Sequence, residues 1–143
     1  MVFNKTTGQI LIRLSKGEEL IENLTKFCQK HGIKTAQVMG IGAVLWADIG
    51  HYDLSKKEYL YKKYEHTMEL TSLLGNVSEK DGKPYLHLHV NISDKDGKTY
   101  GGHLKEAVCA GTIEIFLTPI ETTLNRRFDN ETGLALWDLS SAK

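Results

Sequence analysis

The sequence has little cysteine, no excess of charge of either sign and no long apolar run. Its 143 residues include two cysteines, Cys28 and Cys109, which lie far apart and form no CxxC pair. We interpret both as small buried residues in a reducing cytoplasm, since a chain of this length buries enough surface to fold without disulfides. No stretch approaches about 18 consecutive apolar residues, and the N-terminus lacks the charged-then-apolar run of a signal peptide. The sequence therefore predicts a cytoplasmic protein with no membrane partner.

The charges balance, because Lys plus Arg and Asp plus Glu both total 18. Proteins that bind duplex DNA electrostatically usually carry a basic excess on one face, so neutrality counts against that class. Four lysines form a modest basic patch: Lys56, Lys57, Lys62 and Lys63. Asp53, Glu58 and Glu65 lie among them, so we interpret the patch as a solvated face.

No repeat, low-complexity tract or linker interrupts the chain, so residues 1–143 are predicted to form a single domain. Residues 9–14 favour a first strand, and Ser15 and Glu18 have the spacing of a capping box that would begin a helix. The helix is predicted to end before Gly32. Its apolar residues follow one helical stripe: Leu20, Ile21, Leu24, Phe27 and Cys28.

The rest of the chain favours strands, with the short Gly40-Ile41-Gly42 segment interpreted as a tight turn between two of them. The predicted strands cover residues 35–39, 44–52, 59–64, 68–77, 85–93 and 112–117. One main helix followed by strands with short connections predicts an α+β fold with a largely antiparallel sheet.

Histidines form the one sharp chemical pattern. His87 and His89 alternate with Leu86, Leu88 and Val90, so both imidazoles project from one face of a strand. The following sequence, Asp94 to Lys98, predicts a hairpin whose three-residue loop, residues 95–97, ends in glycine. That register pairs residues whose numbers sum to 192, and His103 then lies opposite His89 on the same face. A two-residue loop would shift the register by one and send His103 to the far side.

Three imidazoles on one face can hold a divalent metal and leave a coordination position open for water or an unidentified small-molecule ligand. The alternative is that the His87–His89 pair comprises two half-buried imidazoles with ordinary hydrogen-bond partners. Zinc is the first choice of metal, although imidazoles also bind iron, copper, nickel and manganese.

Several further residues are weaker candidates for this site. Glu69 and Glu114 are candidates for a base or a partner of a ligating histidine, or are solvent-facing strand residues. His51 and His66 are interpreted as surface residues, and nothing in their spacing selects either as a fourth ligand. Gly101 and Gly102 are interpreted as leaving room for a ligand beside His103. We assign no catalytic residue.

The chain also resembles the plants-and-prokaryotes-conserved domain family, called PPC or PCC. The resemblance rests on residues 13–19, 40–44, 69–76, 87–89, 96–97, 101–104 and 110–115, and on Arg127, Asp129, Thr132, Gly133 and Leu134. It implies an antiparallel sheet packed with helix, a homotrimer among stand-alone prokaryotic members, and metal binding through the residues that here are His87, His89 and His103. Plant members follow an AT-hook and act as DNA-associated regulators. This chain has no Arg-Gly-Arg-Pro hook, so the resemblance predicts weak or absent DNA binding.

Two functions therefore remain open. The first is a metal-dependent enzyme or small-molecule binder, and the second is a non-enzymatic, DNA-associated or regulatory oligomer.

Overall fold

The structure, a computed structural model, describes residues 1–142 and contains a nine-stranded sheet and one α-helix. The strands are β1 (Val2–Lys5), β2 (Ile10–Ser15), β3 (Ala36–Asp53), β4 (Glu58–Tyr64), β5 (Met68–Lys80), β6 (Lys83–Ser93), β7 (Thr99–Pro119), β8 (Asn125–Phe128) and β9 (Ala135–Asp138). Helix α1 spans Leu20–His31, and a 3-10 turn spans Leu139–Ser141. The predicted antiparallel sheet with one main helix is confirmed, although strands dominate the fold.

Helix α1 forms where the apolar stripe predicted it. Leu20, Leu24, Phe27 and Cys28 are its buried residues, so the helix presents one apolar face to the core. Gly32 ends it in a left-handed conformation (φ 65°), which glycine adopts without the steric penalty that other residues meet. Helix-end charges also match the dipole, since Lys30 and His31 lie in the last turn.

The predicted capping box at Ser15 is wrong as a helix start. Glu19 is the N-cap, and its carboxylate accepts a hydrogen bond from the Glu22 backbone N–H. Glu18 does accept from the Ser15 backbone N–H at 2.8 Å, but this bond closes the turn that ends β2. The Gly17 N–H then donates to the Cys109 carbonyl of β7, and the Cys109 N–H donates to the Glu18 carbonyl. These bonds tie residues 17 and 18 to β7, so the helix begins only at Leu20.

Strands β3, β5, β6 and β7 form a closed circuit of pairings. Strand β3 pairs with both β5 and β7, and β6 also pairs with both β5 and β7. All of these pairings are antiparallel, whereas β8 joins β5 through a single parallel bridge between Glu79 and Asn125. The long β7 therefore has one segment beside β6 and another segment beside β2.

The tight turn predicted at Gly40-Ile41-Gly42 is wrong, because the chain continues there as one strand, β3, with a register shift. These glycines permit close approach of β7. A Cβ at Gly40 would lie 2.6 Å from the Glu114 carbonyl oxygen, and one at Gly42 would lie 2.3 Å from that of Thr112.

The core lies between α1 and one face of the sheet, and it includes Leu88, Val90 and Ile92 of β6. Cys28 and Cys109 are buried free thiols, as predicted. The odd-numbered residues of β6, His87 and His89 among them, project from the opposite face.

The sequence did not predict β1, β8 or β9, each of which has four residues and little buried surface. The helical segments of residues 1–142 lack the length and apolar character that crossing a membrane requires.

Candidate metal site

The β6–β7 hairpin brings His89 and His103 together in the predicted register. The Asp94 N–H bonds to the Lys98 carbonyl at 3.0 Å, and Gly97 has a positive φ of 78°. The side chain of Asp94 accepts from the N–H groups of Asp96 and Lys98, both at 3.0 Å, which fixes the loop. His89 consequently lies directly opposite His103, as the three-residue loop requires.

His87 completes a compact group of three imidazoles. Its ring centroid lies 5.2 Å from that of His89 and 5.2 Å from that of His103, while the His89 and His103 centroids are 5.5 Å apart. One nitrogen from each ring lies within 4.8 Å of the other two, and within residues 1–142 no further Cys, His, Asp or Glu side chain joins this group. Two nitrogens on one tetrahedral zinc are about 3.3 Å apart, so small side-chain rotations would bring these atoms to ligand positions.

The surroundings keep two of the rings in the form that binds metal. Burial, with smaller contributions from His87, His89 and Arg126, lowers the pKa of His103 to about 4. Burial also lowers the pKa of His87, with smaller contributions from Arg126 and His89. At neutral pH both rings are uncharged and offer a lone pair, as a metal ligand must.

His103 has a specific deficit that a metal would correct. Its Nδ1 atom is buried and has no hydrogen-bond partner within residues 1–142. A buried polar atom without a partner usually costs about 1–3 kcal/mol, and native proteins rarely leave one unsatisfied. A metal ligated through this nitrogen would satisfy it, so the residues present fit a bound ion.

Tyr59 holds the His103 ring from the β4 side. The two rings stack with centroids 4.6 Å apart, and Tyr59 also stacks with Tyr61 at 5.3 Å. Gly50 of β3 pairs with both His103 and Tyr61, and a Cβ there would lie 2.6 Å from the Tyr61 ring. The missing side chain at Gly50 therefore lets the tyrosines pack against the histidine.

Arg126 is a site residue that the sequence reasoning missed. It lies on β8, and its Nη2 is 3.4 Å from Nδ1 of His87. Its Nε donates to Ser78 Oγ at 2.7 Å, and Nη2 also donates to Asn76 Oδ1 at 3.1 Å. The guanidinium lies 4.7 Å from the centroid of the Tyr85 ring. An arginine between two ordinary loops carried no local signal, and only the parallel bridge from β8 to β5 brings it to the histidines.

The other sequence candidates lie outside this group. Glu69 pairs with Ser93 of β6. Ser93 is four residues from His89 along the strand, so Glu69 lies about 13 Å from His89 at the usual rise per residue. Glu114 lies on β7 but eleven residues beyond His103, where its partners are Arg13 of β2 and Ile41 of β3.

His51 and His66 are exposed and do not join the potential ligand group found among residues 1–142, in keeping with their interpretation as surface residues. The interpretation of Gly101 and Gly102 as space for a ligand is wrong, because a Cβ at Gly101 would meet Asn91 Oδ1 at 2.3 Å. A Cβ at Gly102 would meet the Gly50 carbonyl oxygen at 2.6 Å. Strand packing already fills both positions.

Comparison with known proteins identifies a family and several solved structures with the same fold. A family model described as the Plants and Prokaryotes Conserved (PCC) domain matches residues 1–121. A metal-containing protein from Archaeoglobus fulgidus is 42% identical, with 96% of this chain and 98% of that chain covered and a TM-score of 0.87. A plant- and prokaryote-conserved (PPC) protein from Pyrococcus horikoshii is 38% identical, with coverages of 96% and 93% and a TM-score of 0.85.

A third solved structure has a different description. A protein from Ralstonia eutropha JMP134, described as a candidate DNA-binding protein, is 30% identical, with coverages of 96% and 95% and a TM-score of 0.90. No curated protein matches this chain.

Proposed function

We propose that this chain, which belongs to the Plants and Prokaryotes Conserved (PCC) domain family, is a metal-binding protein in which His87, His89 and His103 hold one divalent ion. The observation that carries the proposal is the convergence of three imidazole nitrogens within 4.8 Å, one of the rings having a buried nitrogen with no partner. The metal-containing relative from Archaeoglobus fulgidus supports it.

Zinc is the ion we propose first. Neutral imidazoles suit it, and its bond length of about 2.0–2.1 Å to nitrogen matches a small group of converging rings. Three protein ligands leave one position open, and a zinc ion so held can polarise a bound oxygen or lower the pKa of bound water towards about 7. We name no protein base, since Glu69 and Glu114 lie away from the rings.

Elemental analysis of the purified protein tests the assignment. The wild type should contain about one divalent metal per chain, and the same measurement identifies the element. His89→Ala should lose stoichiometric metal while keeping its fold, as judged by circular dichroism. His66→Ala is the matched control, because it removes an exposed histidine outside the group. Full metal occupancy in His89→Ala would refute this ligand set.

We also propose that the protein is a homotrimer, formed through the sheet face that carries the histidines. Four exposed apolar residues lie in one row across four strands on this face. The row is Leu11 opposite Phe116, Phe116 opposite Met39, and Met39 opposite Leu74. A contiguous exposed apolar surface of this kind usually marks an interaction site, and zero net charge removes mutual repulsion between copies.

Light scattering at a defined protein concentration measures the mass of the assembly and so tests whether it is a trimer. The expected mass is about three times the 16.1 kDa of one chain. Met39→Glu places a charge in the centre of the row and should shift the mass towards the monomer. Leu54→Glu is the control, because Leu54 is 64% exposed but lies in the β3–β4 connection, outside the row. A wild-type monomer would contradict the proposal.

DNA association is the weaker alternative, motivated by the Ralstonia eutropha relative. The basic patch of the sequence is engaged within the chain. Lys63 pairs with Glu65 at 3.0 Å, Lys57 donates to the Asn130 carbonyl at 2.7 Å, and Lys62 lies over the ring of Tyr64. These contacts favour the solvated-face interpretation over a phosphate-binding surface.

A further inference from the structure

Arg126 is a cation held beside the histidines without an acidic partner. The ion pairs described for residues 1–142 do not include it. Burial lowers its pKa, and the groups that oppose this shift are the tyrosines Tyr85 and Tyr59, with no carboxylate among them. A half-buried arginine usually has an anionic partner, because removing an unpaired charge from water is expensive.

The protein fixes the position of this guanidinium firmly. Nε donates to Ser78, Nη1 donates to the Ala135 carbonyl at 2.7 Å, and Nη2 donates to Asn76. Ser78 is fully buried, so the stem of the arginine has a rigid anchor. A guanidinium has five N–H groups. Among the described residues, three of these N–H groups bond to protein oxygens and a fourth points at His87, which leaves one on Nη1 for another acceptor.

The placement is unfavourable for metal binding by itself. A divalent ion on His87 would lie beside a positive charge whose Nη2 is 3.4 Å from the ring of that histidine. The two cations repel each other, and little water separates them in a half-buried site. An anion that contacts both would turn this repulsion into two attractions.

We infer that Arg126 and the open position on the metal together bind a small carboxylate. This inference rests on the proposed metal site and names the chemical class of its ligand. One carboxylate oxygen takes the open coordination position, and the other accepts from Arg126. Tyr59 and Tyr85 supply flat walls on either side, since Tyr59 stacks on His103 and Tyr85 lies under the guanidinium.

The number of free donors favours a carboxylate over a phosphate. Arg126 has one free N–H, and a second becomes free if the weak contact to His87 is released. One or two donors match a singly charged carboxylate. A phosphate dianion carries more acceptor oxygens and is usually bound by several N–H groups or cations.

Cobalt-loaded protein provides a direct test, because the visible spectrum of cobalt(II) changes when its coordination changes. Metal content is measured first for wild type, Arg126→Gln, Arg126→Lys and Arg127→Gln. Each protein is then titrated with acetate, with the neutral amide acetamide and with inorganic phosphate. Arg127 is the matched control, since it is the next residue on β8 and is exposed.

The expected result is unchanged cobalt content in all four proteins, with acetate binding at least about 10-fold weaker in Arg126→Gln, the loss typical of a charged hydrogen bond. Arg126→Lys should bind acetate with intermediate affinity, because it keeps the charge but loses the planar geometry. Arg127→Gln should stay within about 2-fold of wild type, as a distant surface charge would. Acetamide binding should not depend on residue 126.

Several outcomes would overturn the inference separately from the metal proposal. Equal acetate affinity in wild type and Arg126→Gln, with cobalt retained, would refute the role of Arg126. Phosphate binding that is tighter than acetate binding and equally dependent on Arg126 would refute the carboxylate assignment. Loss of cobalt from both Arg126 variants would make the residue a structural support. Failure of the wild type to bind cobalt would instead refute the metal site, and the inference with it.

Discussion

Gly75 is the position where a single methyl group should disturb the site through the backbone. It lies on β5 opposite Leu88, between the pairings of β5 with His87 and His89. A Cβ built there would lie 2.0 Å from the His87 carbonyl oxygen and 2.9 Å from the Leu88 Cα. Both atoms belong to the β6 backbone, so no side-chain rotation can relieve the overlap. Strand β6 would have to move away from β5 by about 1.4 Å to bring the 2.0 Å approach to an ordinary contact of 3.4 Å.

The magnitude follows from this displacement. A backbone hydrogen bond stretched by about 1 Å is effectively lost, and each is worth about 0.5–1.5 kcal/mol. Overpacking adds about 1–3 kcal/mol. With one such bond lost, we expect Gly75→Ala to lower the free energy of unfolding by about 1.5–4.5 kcal/mol. We also expect it to reduce metal content, because His87 and His89 move with β6.

Urea denaturation followed by tryptophan fluorescence measures the effect at fixed protein concentration. Gly111→Ala is the control, since a Cβ at Gly111 of β7 meets nothing within 4 Å. Alanine there should leave stability unchanged or raise it by up to about 1 kcal/mol. A Gly75→Ala protein within about 0.5 kcal/mol of wild type would refute the reasoning, because the strands would then be more compliant than their packing indicates.

Three further predictions concern the hairpin, a buried thiol and DNA. Deleting Gly97 should shift the β6–β7 register by one residue and turn His103 to the far face, so elemental analysis should find the metal lost; one metal per chain in this variant would contradict the register argument. Burial raises the pKa of Cys28 from 9.0 to about 12, so its contribution to stability is intact below about pH 9 and is lost as pH rises towards 12. Denaturation at about pH 8 and about pH 10.5 should therefore show a larger loss for wild type than for Cys28→Ala, and equal losses would refute this account. An AT-rich duplex titrated at about 150 mM salt should bind weakly and be displaced by scrambled competitor, because a neutral chain neutralises few phosphates; sub-micromolar binding that resists competition would favour the regulatory function.

The parts of the site that the sequence predicted are those set by local rules. Alternation placed His87 and His89 on one face, and the turn chemistry of residues 94–98 set the register that brings His103 opposite His89. Both rules act over fewer than about ten residues, so no knowledge of the remaining fold was needed. Helix α1 was predictable for the same reason, since its stripe needs only the helical period.

The failures concern contacts between distant segments. Gly40 and Gly42 resemble turn residues until β7 is known to pass within 2.6 Å of where their side chains would lie. The alternating pattern indicates that Glu69 lies on a strand, but it does not show which residue of the neighbouring strand lies opposite. The observed partner is Ser93, and this register places Glu69 away from His89. Arg126 depends on the bridge between Glu79 and Asn125, which no pattern in either segment indicates.

The apolar row of the proposed trimer interface and the proposed metal site meet at one residue, Leu74, and this links assembly to ligand binding. Leu74, the last member of the apolar row, lies directly opposite His89, with side chains about 4.5–5.5 Å apart at their Cβ atoms. A second copy that covers Met39 and Leu74 must therefore also cover one side of His89, which is exposed in the single chain. Water would be excluded from that side, and the attraction between an anion and Arg126 would strengthen as the local dielectric falls. The Met39→Glu variant, which the proposed interface predicts to be monomeric, should accordingly keep its metal, because all three proposed ligands come from one chain, while binding acetate more weakly than the wild type.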